Sequence, residues 1–342
     1  MKAVVIGAGS WGTALARMLA QKYPQDTVTL WARRPEAVES MTVNRQNDAY
    51  LPGVLLPESL AFTYDLAVTR DADVIVLAVP SHAVRQTAAA LASYVSSDTI
   101  IVSATKGLEQ GSLKRMSQVI GEELPSLASQ IAILTGPNHA EEVSREHPSA
   151  TVVAAPTKAV AEYVQDLFIL PYFRVYTNPD VIGVELGGAL KNIIALSAGI
   201  ATGLGFGDNT KAALMTRGLA EITRLGVAMN ANALTFAGLS GIGDLVVTCT
   251  SSHSRNHRAG VQIGQGKTAS EVQAATSMVI ESIRTTQAAY QLAQHHAVSM
   301  PITTAAYQVL YEAKHPKEAV LELMTRGRTH EVEELAFGQT AW

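Results

Sequence analysis

Cysteine is nearly absent from this 342-residue chain: Cys249 stands alone. No intrachain disulfide can form, and a reducing, cytoplasmic location is expected. Charge is also scarce, at 16% of residues with a net charge of −4, and no dense Lys/Arg run occurs. That argues against nucleic acid or an anionic membrane surface as a partner. Long apolar runs are missing. The uncharged stretch Asn192 to Gly207 holds four glycines and a threonine, short of the ~20 apolar residues of a spanning helix. No membrane insertion is expected, and the short N-terminal apolar stretch lacks a signal-peptide pattern. Zinc-type Cys/His spacing and a Gly-x-Ser-x-Gly elbow are absent too, so no metal is expected. Without a Cys-His-Asn arrangement around it, Cys249 reads as a small buried hydrophobe rather than a nucleophile.

The start of the chain is its most informative part. Ala3-Val4-Val5-Ile6 leads into Gly7-Ala8-Gly9-Ser10-Trp11-Gly12 and then into the helix-forming Thr13 to Ala20. A strand, a Gly-x-Gly-x-x-Gly turn and a helix let the backbone approach a pyrophosphate, which meets the free N–H groups of the helix N-terminus. Further strand-like runs follow at Val28 to Trp31, Val74 to Val79, Ile100 to Ser103, Ile131 to Leu134, Thr151 to Ala154 and Phe173 to Tyr176. Helical segments separate many of them, which predicts a mainly parallel sheet covered on both faces. After Asn178-Pro179-Asp180 the periodicity turns helical, as in Lys211 to Met229 and Glu281 to His296. The expected fold is therefore α/β: a Rossmann-like, doubly wound parallel sheet over residues 1–179 and an all-helical domain over 180–342. The polar tail after Arg326 reads as loosely ordered.

Where an NAD site would carry an acidic residue for the ribose 2′-OH, this chain has Trp31-Ala32-Arg33-Arg34. Two guanidiniums there suit a 2′-phosphate, so NADPH is expected to be preferred or at least accepted, with NADH possible. The alternative is a solvated surface pair, with Glu36 as a partner for either arginine. Active sites of such sheets lie beyond the strand ends. Two ends carry distinctive loops: Ser103 to Leu108, with Lys106 reaching toward the cleft, and Thr135 to Ala140. In the second, a turn that opens a helix should leave backbone N–H groups and the Asn138 amide free for a ligand; His139 reads as structural.

In the helical part, Lys191 shares its helix face with Val184, Gly187, Gly188, Ile194, Ala195 and Ala198, a small, apolar surface. Desolvation and a neighbouring cation would both disfavour its ammonium form and bring it into proton exchange near neutral pH. Asp244 and Thr248, four apart, should share one helix face, and Ser254, Arg255 and Asn256 make an anion-binding set if they cap the next helix.

Taken together, these segments resemble the bacterial-type NAD(P)-dependent glycerol-3-phosphate dehydrogenases. The resemblance runs through Gly7 to Gly12, Ala49 to Pro52, Val79 to His82, Ala104 to Glu109, Gly136-Pro137, Asn178 to Asn192, Thr216 to Leu219, Gly241 to Thr250, Ser254 to Asn256 and Gly264 to Gly266. It implies reversible reduction of dihydroxyacetone phosphate to sn-glycerol 3-phosphate by a homodimer, for glycerophospholipid synthesis. It further implies Lys191 as general acid/base, with Lys106, Gly136, Asn138, Asn192, Asp244, Ser254, Arg255 and Asn256 around the substrate. Asp244 and Thr248 would orient the lysine. Gly7, Gly9, Ser10, Trp11, Gly12, Arg33, Arg34, Lys106, Ala140, Arg255, Val279 and Glu281 would line the cofactor. The chain departs from the family at Asn138-His139, where Ser or Thr and an aromatic usually follow Gly-Pro. Two rivals are a β-hydroxyacid dehydrogenase relative, in which the helical lysine and asparagine are four apart rather than adjacent, and a silent NADP sensor, which has no need of two lysines and a phosphate set.

Overall fold

The computed structural model describes residues 1–276 and 278–328; the tail beyond, with most of the segment expected to be loosely ordered, lies outside the described residues. The chain forms two compact units. One comprises Met1–Lys106 with Met116–Val181; the other begins at Ile182 and also takes in Gly107–Arg115.

In chain order the first unit contains β1 (Lys2–Ile6), α1 (Ser10–Lys22), β2 (Thr27–Trp31), α2 (Pro35–Asn44), β3 (Gln46–Asn47), β4 (Leu51–Leu55), β5 (Leu60–Thr63), β6 (Val74–Leu77), α3 (Val84–Leu91), β7 (Ile100–Ser103), α4 (Met116–Glu123), β8 (Ile131–Thr135), α5 (Ala140–Val143), β9 (Ser149–Ala154), α6 (Lys158–Phe168) and β10 (Phe173–Asn178). Eight strands make one sheet in the order β10-β9-β8-β7-β6-β1-β2-β5. The chain winds outward from β1 through β2 to β5, then returns to β1's other side at β6, so the strand order reverses beside β1. That reversal opens the crevice in which such sheets bind ligands. β1 and β6 have no exposed face: Val4, Val5, Ile6, Val74, Ile75, Val76 and Leu77 are all fully buried, which is why they read as unbroken apolar runs.

Parallel pairing stops at β8, whose partner β9 runs antiparallel to it, so β9 and β10 oppose the other six. The β8–β9 connection holds only the single helical turn α5, too short to carry the chain back across the sheet for a parallel entry. The β3–β4 hairpin and the edge strand β5 were not anticipated, because Leu60-Ala61-Phe62-Thr63 is short and carries no alternation.

The second unit contains α7 (Val181–Gly203), α8 (Asp208–Ala228), α9 (Asp244–Thr250), α10 (Arg255–Gly264), α11 (Ala269–Ala274), α12 (Glu281–His295), α13 (Pro301–Tyr311) and α14 (Pro316–Met324). No strand occurs among its described residues. α7 is long and apolar enough by composition to cross a membrane, but 83% of its most apolar stretch is buried. Its apolarity goes into the core with Ile222, Leu245, Ala288 and Leu292. Glycines bring α10 against it. A Cβ on Gly199 would overlap the His257 carbonyl oxygen, and one on Gly260 would overlap that of Leu196, so the two backbones touch where side chains would hold them apart.

Candidate active site

The nucleotide-binding unit is built around the turn after β1. Gly7 has φ +114°, and a Cβ there would lie 2.6 Å from the Ala78 carbonyl oxygen, at the end of β6. A Cβ on Gly12 would overlap the Gly7 carbonyl oxygen, while around Gly9 nothing lies within 4 Å. The first and third glycines are thus forced by packing, and the second leaves open space over the helix end. α1 starts after Gly9 with no side-chain cap and no acidic residue in its first turn, so its positive end is available to an anion. A pyrophosphate fits this cradle, with Gly7, Gly9, Ser10, Trp11 and Gly12 around it. Asn47, 6% exposed, supports the turn from outside by donating its amide to the Ala8 carbonyl at 2.9 Å and the Thr13 hydroxyl at 2.8 Å. Sequence reasoning missed it, since nothing local in Gln46-Asn47 points to a contact with residues 8 and 13.

Arg33 and Arg34 lie exposed just past β2, with Arg34 preceding the first turn of α2. Neither forms an ion pair among the described residues, Glu36 included, so both guanidiniums remain available to a phosphate. Lys106 follows β7, and its Nζ donates to the Gly136 carbonyl at 2.9 Å, joining the two loops singled out in the sequence. Thr105 ties the same corner to β6 by donating to the Val79 carbonyl at 2.7 Å.

The second loop differs from expectation. Asn138 already donates one amide N–H to the Ala150 carbonyl at 2.9 Å, and its Oδ1 is buried without a hydrogen-bond partner. One amide N–H is therefore taken. Nor is α5 a good anion site: it is one turn long and carries Glu141 and Glu142, whose charges oppose an incoming anion. Ala140 packs with Ala14, Leu51, Val54 and Trp11, which puts it beside one residue of the glycine turn.

In the helical unit, Lys191, Asp244 and Thr248 come together although they come from two helices. α7 is buried all round at this level, and Lys191 is 5% exposed. Gly187 lets the main chain at Ser240 approach, since a Cβ would lie 2.5 Å from that carbonyl oxygen. A π-helical turn over Leu239–Gly243 then delivers Asp244 as the first residue of α9, where the helix dipole favours a carboxylate. Lys191 Nζ donates to Asp244 Oδ1 and to Thr248 Oγ1, each at 2.5 Å. The Thr248 hydroxyl gives its own proton to the Asp244 backbone carbonyl at 2.6 Å, which orients its lone pairs to the lysine. The charge beside Lys191 is the Asp244 carboxylate, one of the two groups expected to orient it. A carboxylate 1% exposed offsets part of the cost of burying the ammonium.

At Asn192, the residue after Lys191, Asn256 Nδ2 donates to Oδ1 at 2.9 Å, and Asn256 Oδ1 accepts the Ser282 N–H at 3.1 Å. Asn192, Asn256 and the start of α12 form one chain. Ser254 is the N-cap of α10, accepting the His257 N–H, so its hydroxyl has a structural use. Arg255, the next residue, is exposed and reaches the Val279 carbonyl at 3.4 Å, while Glu281 opens α12. Cys249 is fully buried, and burial pushes its thiol up to about 12, which removes it as a nucleophile. Among the described residues no group of three His, Cys, Asp or Glu could hold a metal ion.

A glycine cradle at the switch point of a parallel sheet defines the class as a dinucleotide-dependent oxidoreductase of the Rossmann type, here joined to a helical unit with a buried lysine. Comparison with known proteins carries this to the family. Residues 2–161 match the NAD-dependent glycerol-3-phosphate dehydrogenase N-terminus and residues 180–321 the corresponding C-terminus. The glycerol-3-phosphate dehydrogenase [NAD(P)+] of Desulfitobacterium hafniense is 56% identical over 335 residues, covering 98% of this chain and 94% of that protein. A crystal structure of glycerol-3-phosphate dehydrogenase from Coxiella burnetii superposes with a TM-score of 0.90 at 38% identity, over 95% of this chain and 99% of that one. A ketopantoate reductase from Ralstonia eutropha shares the fold alone, with a TM-score of 0.57 and 16% identity over 94% of this chain and 100% of that one. The chain belongs to the NAD-dependent glycerol-3-phosphate dehydrogenase family.

Proposed function

We propose that the protein reversibly reduces dihydroxyacetone phosphate to sn-glycerol 3-phosphate, with NADPH or NADH held by the first unit and the substrate handled chiefly by the second. The observation that carries this is the Lys191–Asp244–Thr248 cluster: a buried lysine aimed by hydrogen bonds to a buried carboxylate and a hydroxyl. When bound, the reduced nicotinamide supplies a hydride to the carbonyl carbon. Lys191 gives its proton to the carbonyl oxygen as charge develops there, and takes one back from solvent afterwards. Asp244 and Thr248 hold the amine in place before and after that transfer, so little reorganisation is needed at the moment of reaction. Lys106 steadies the developing negative oxygen. Arg255 and Asn256 take the phosphate, which lets remote binding energy fix the reacting carbon. Arg33 and Arg34 receive the 2′-phosphate of NADPH, and Ala140 contributes to the cofactor's walls.

This reading includes a homodimer in the cytoplasm that feeds glycerophospholipid synthesis, as the family resemblance implies. Loss of NADPH absorbance with dihydroxyacetone phosphate tests the activity, with unphosphorylated dihydroxyacetone in parallel. Rapid oxidation with the phosphorylated ketone alone is expected. No oxidation despite NADPH binding would turn the reading toward a nucleotide sensor. Sedimentation at micromolar concentration tests the dimer, and a single species of monomer mass removes it.

A further inference from the structure

Residues 107–115 leave the nucleotide-binding unit directly after Lys106 and fold with the helical unit. Within that unit they make a closed strap. A bridge between Leu108 and Arg115 joins its ends, and the Glu109 N–H donates to the Lys114 carbonyl at 2.9 Å. Leu108, 2% exposed, is part of the core with Leu186, Ala189 and Leu190. Gln110 donates to the Gln287 side chain of α12 at 2.9 Å. Arg115 pairs with Glu185 of α7, and the two side chains are only 12% and 6% exposed.

An ion pair this deeply buried adds little net stability over apolar residues of the same size. What it does provide is register, because a guanidinium and a carboxylate must meet in one geometry. Glu185 lies less than two turns before Lys191 on the same rigid helix. The strap it anchors begins at Gly107, one peptide bond after Lys106. Lys106 therefore has its Nζ on the Gly136 carbonyl and its main chain continued by a strap that is fastened at Glu185. We infer that Arg115 and Glu185 are positioning residues for Lys106, acting through the strap rather than by touching substrate. The consequence for turnover rests on the function proposed above, whereas the placement of Lys106 does not.

Two measurements keep these apart. The first is the rate at which trinitrobenzenesulfonate modifies Lys106, followed by peptide mass spectrometry with the exposed Lys158 as internal standard. Glu185→Gln should raise that rate several-fold, and Arg115→Lys, which keeps the charge but loses the fork, should fall between it and the wild type. An unchanged Lys106 rate in both variants overturns the inference, whatever turnover shows. Should Glu185→Gln fail to fold, Arg115→Lys alone decides. The second is kcat/KM for dihydroxyacetone phosphate in a double-mutant cycle. Glu185→Gln should lower it about 10- to 100-fold with the Kd for NADPH unchanged, and should add no further loss in a Lys106→Met background. A loss of equal size in that background means that the pair acts elsewhere, and overturns the inference. If Lys106→Met alone keeps full turnover while labelling shifts, the chemical role proposed for Lys106 falls and its positioning stands.

Discussion

At the scale of the residue, the helical unit buries Lys191 against Asp244 and Thr248. Lys191 was legible in the sequence because a lysine recurring with Gly187, Gly188, Ala195 and Ala198 on one helical face cannot be a solvated residue. Its partners were only half legible. The spacing of Asp244 and Thr248 puts them on one face of a helix, but no periodicity states which helix that face meets. Asn138 shows the opposite failure: its donor is used by the Ala150 carbonyl, a contact across the β8–β9 pair that a local reading of Gly136-Pro137-Asn138 cannot contain. Lys191→Ala is expected to lower kcat by on the order of 10² to 10⁴, with the Kd for NADPH, followed by fluorescence, unchanged. Asp244→Asn should lower kcat while leaving the fold intact by circular dichroism, since it keeps the shape and removes the charge paired with Lys191. Near-normal turnover in Lys191→Ala would take the lysine out of the chemistry.

Among the elements, the apolar strands and the long helices could be read directly, because burial on both faces or periodicity writes itself into composition. What could not be read were contacts that depend on the absence of a side chain. Gly260 sits in an ordinary helical pattern, yet a Cβ there would overlap the Leu196 carbonyl oxygen. Gly260→Ala should force α10 away from α7, with a cost of at least about 2 kcal/mol in urea unfolding from overpacking. It should also raise KM for dihydroxyacetone phosphate, since Asn256 and Arg255 ride on α10. A second device is the start of α13, whose first turn is satisfied by a carboxylate from α8: Glu221 accepts the Ile302 N–H at 2.5 Å and the Thr303 N–H at 3.2 Å. Glu221 is 2% exposed, and burial raises its carboxyl to about 7 despite those bonds. The folded state thus binds this proton more tightly than the unfolded chain. Its stabilisation is complete below about pH 4.5 and is lost as pH rises through about 7, a span worth about 3 kcal/mol. Glu221→Gln should flatten the stability of the helical unit over that window in denaturant titrations; an identical slope in the variant would assign the pH dependence to other groups.

For the molecule as a whole, the chain is built of two units of different construction. The division near Pro179 follows from a change of periodicity, whereas the excursion of 107–115 leaves no mark in composition, because Leu108 and Arg115 are ordinary residues until their partners on α7 are known. The net charge of −4 provides no general attraction for a phosphorylated cofactor, so selectivity between NADPH and NADH must come from local cations. Arg33 and Arg34 are exposed, have no ion pair among the described residues and follow β2 directly, so they fit that requirement without rearrangement. A ligand at 100 times its Kd stabilises the state that binds it by about 2.7 kcal/mol, which differential scanning calorimetry resolves. With each cofactor at one fixed concentration, NADPH should shift the transition of the nucleotide-binding unit upward more than NADH does. In Arg33→Ala plus Arg34→Ala the NADPH shift should shrink to the NADH value while the NADH shift stays put, because only the 2′-phosphate has lost its partners. Equal losses for both cofactors would mean that the arginines support the fold of α2 rather than the phosphate, and unchanged shifts would make them the solvated pair that exposed arginines usually are.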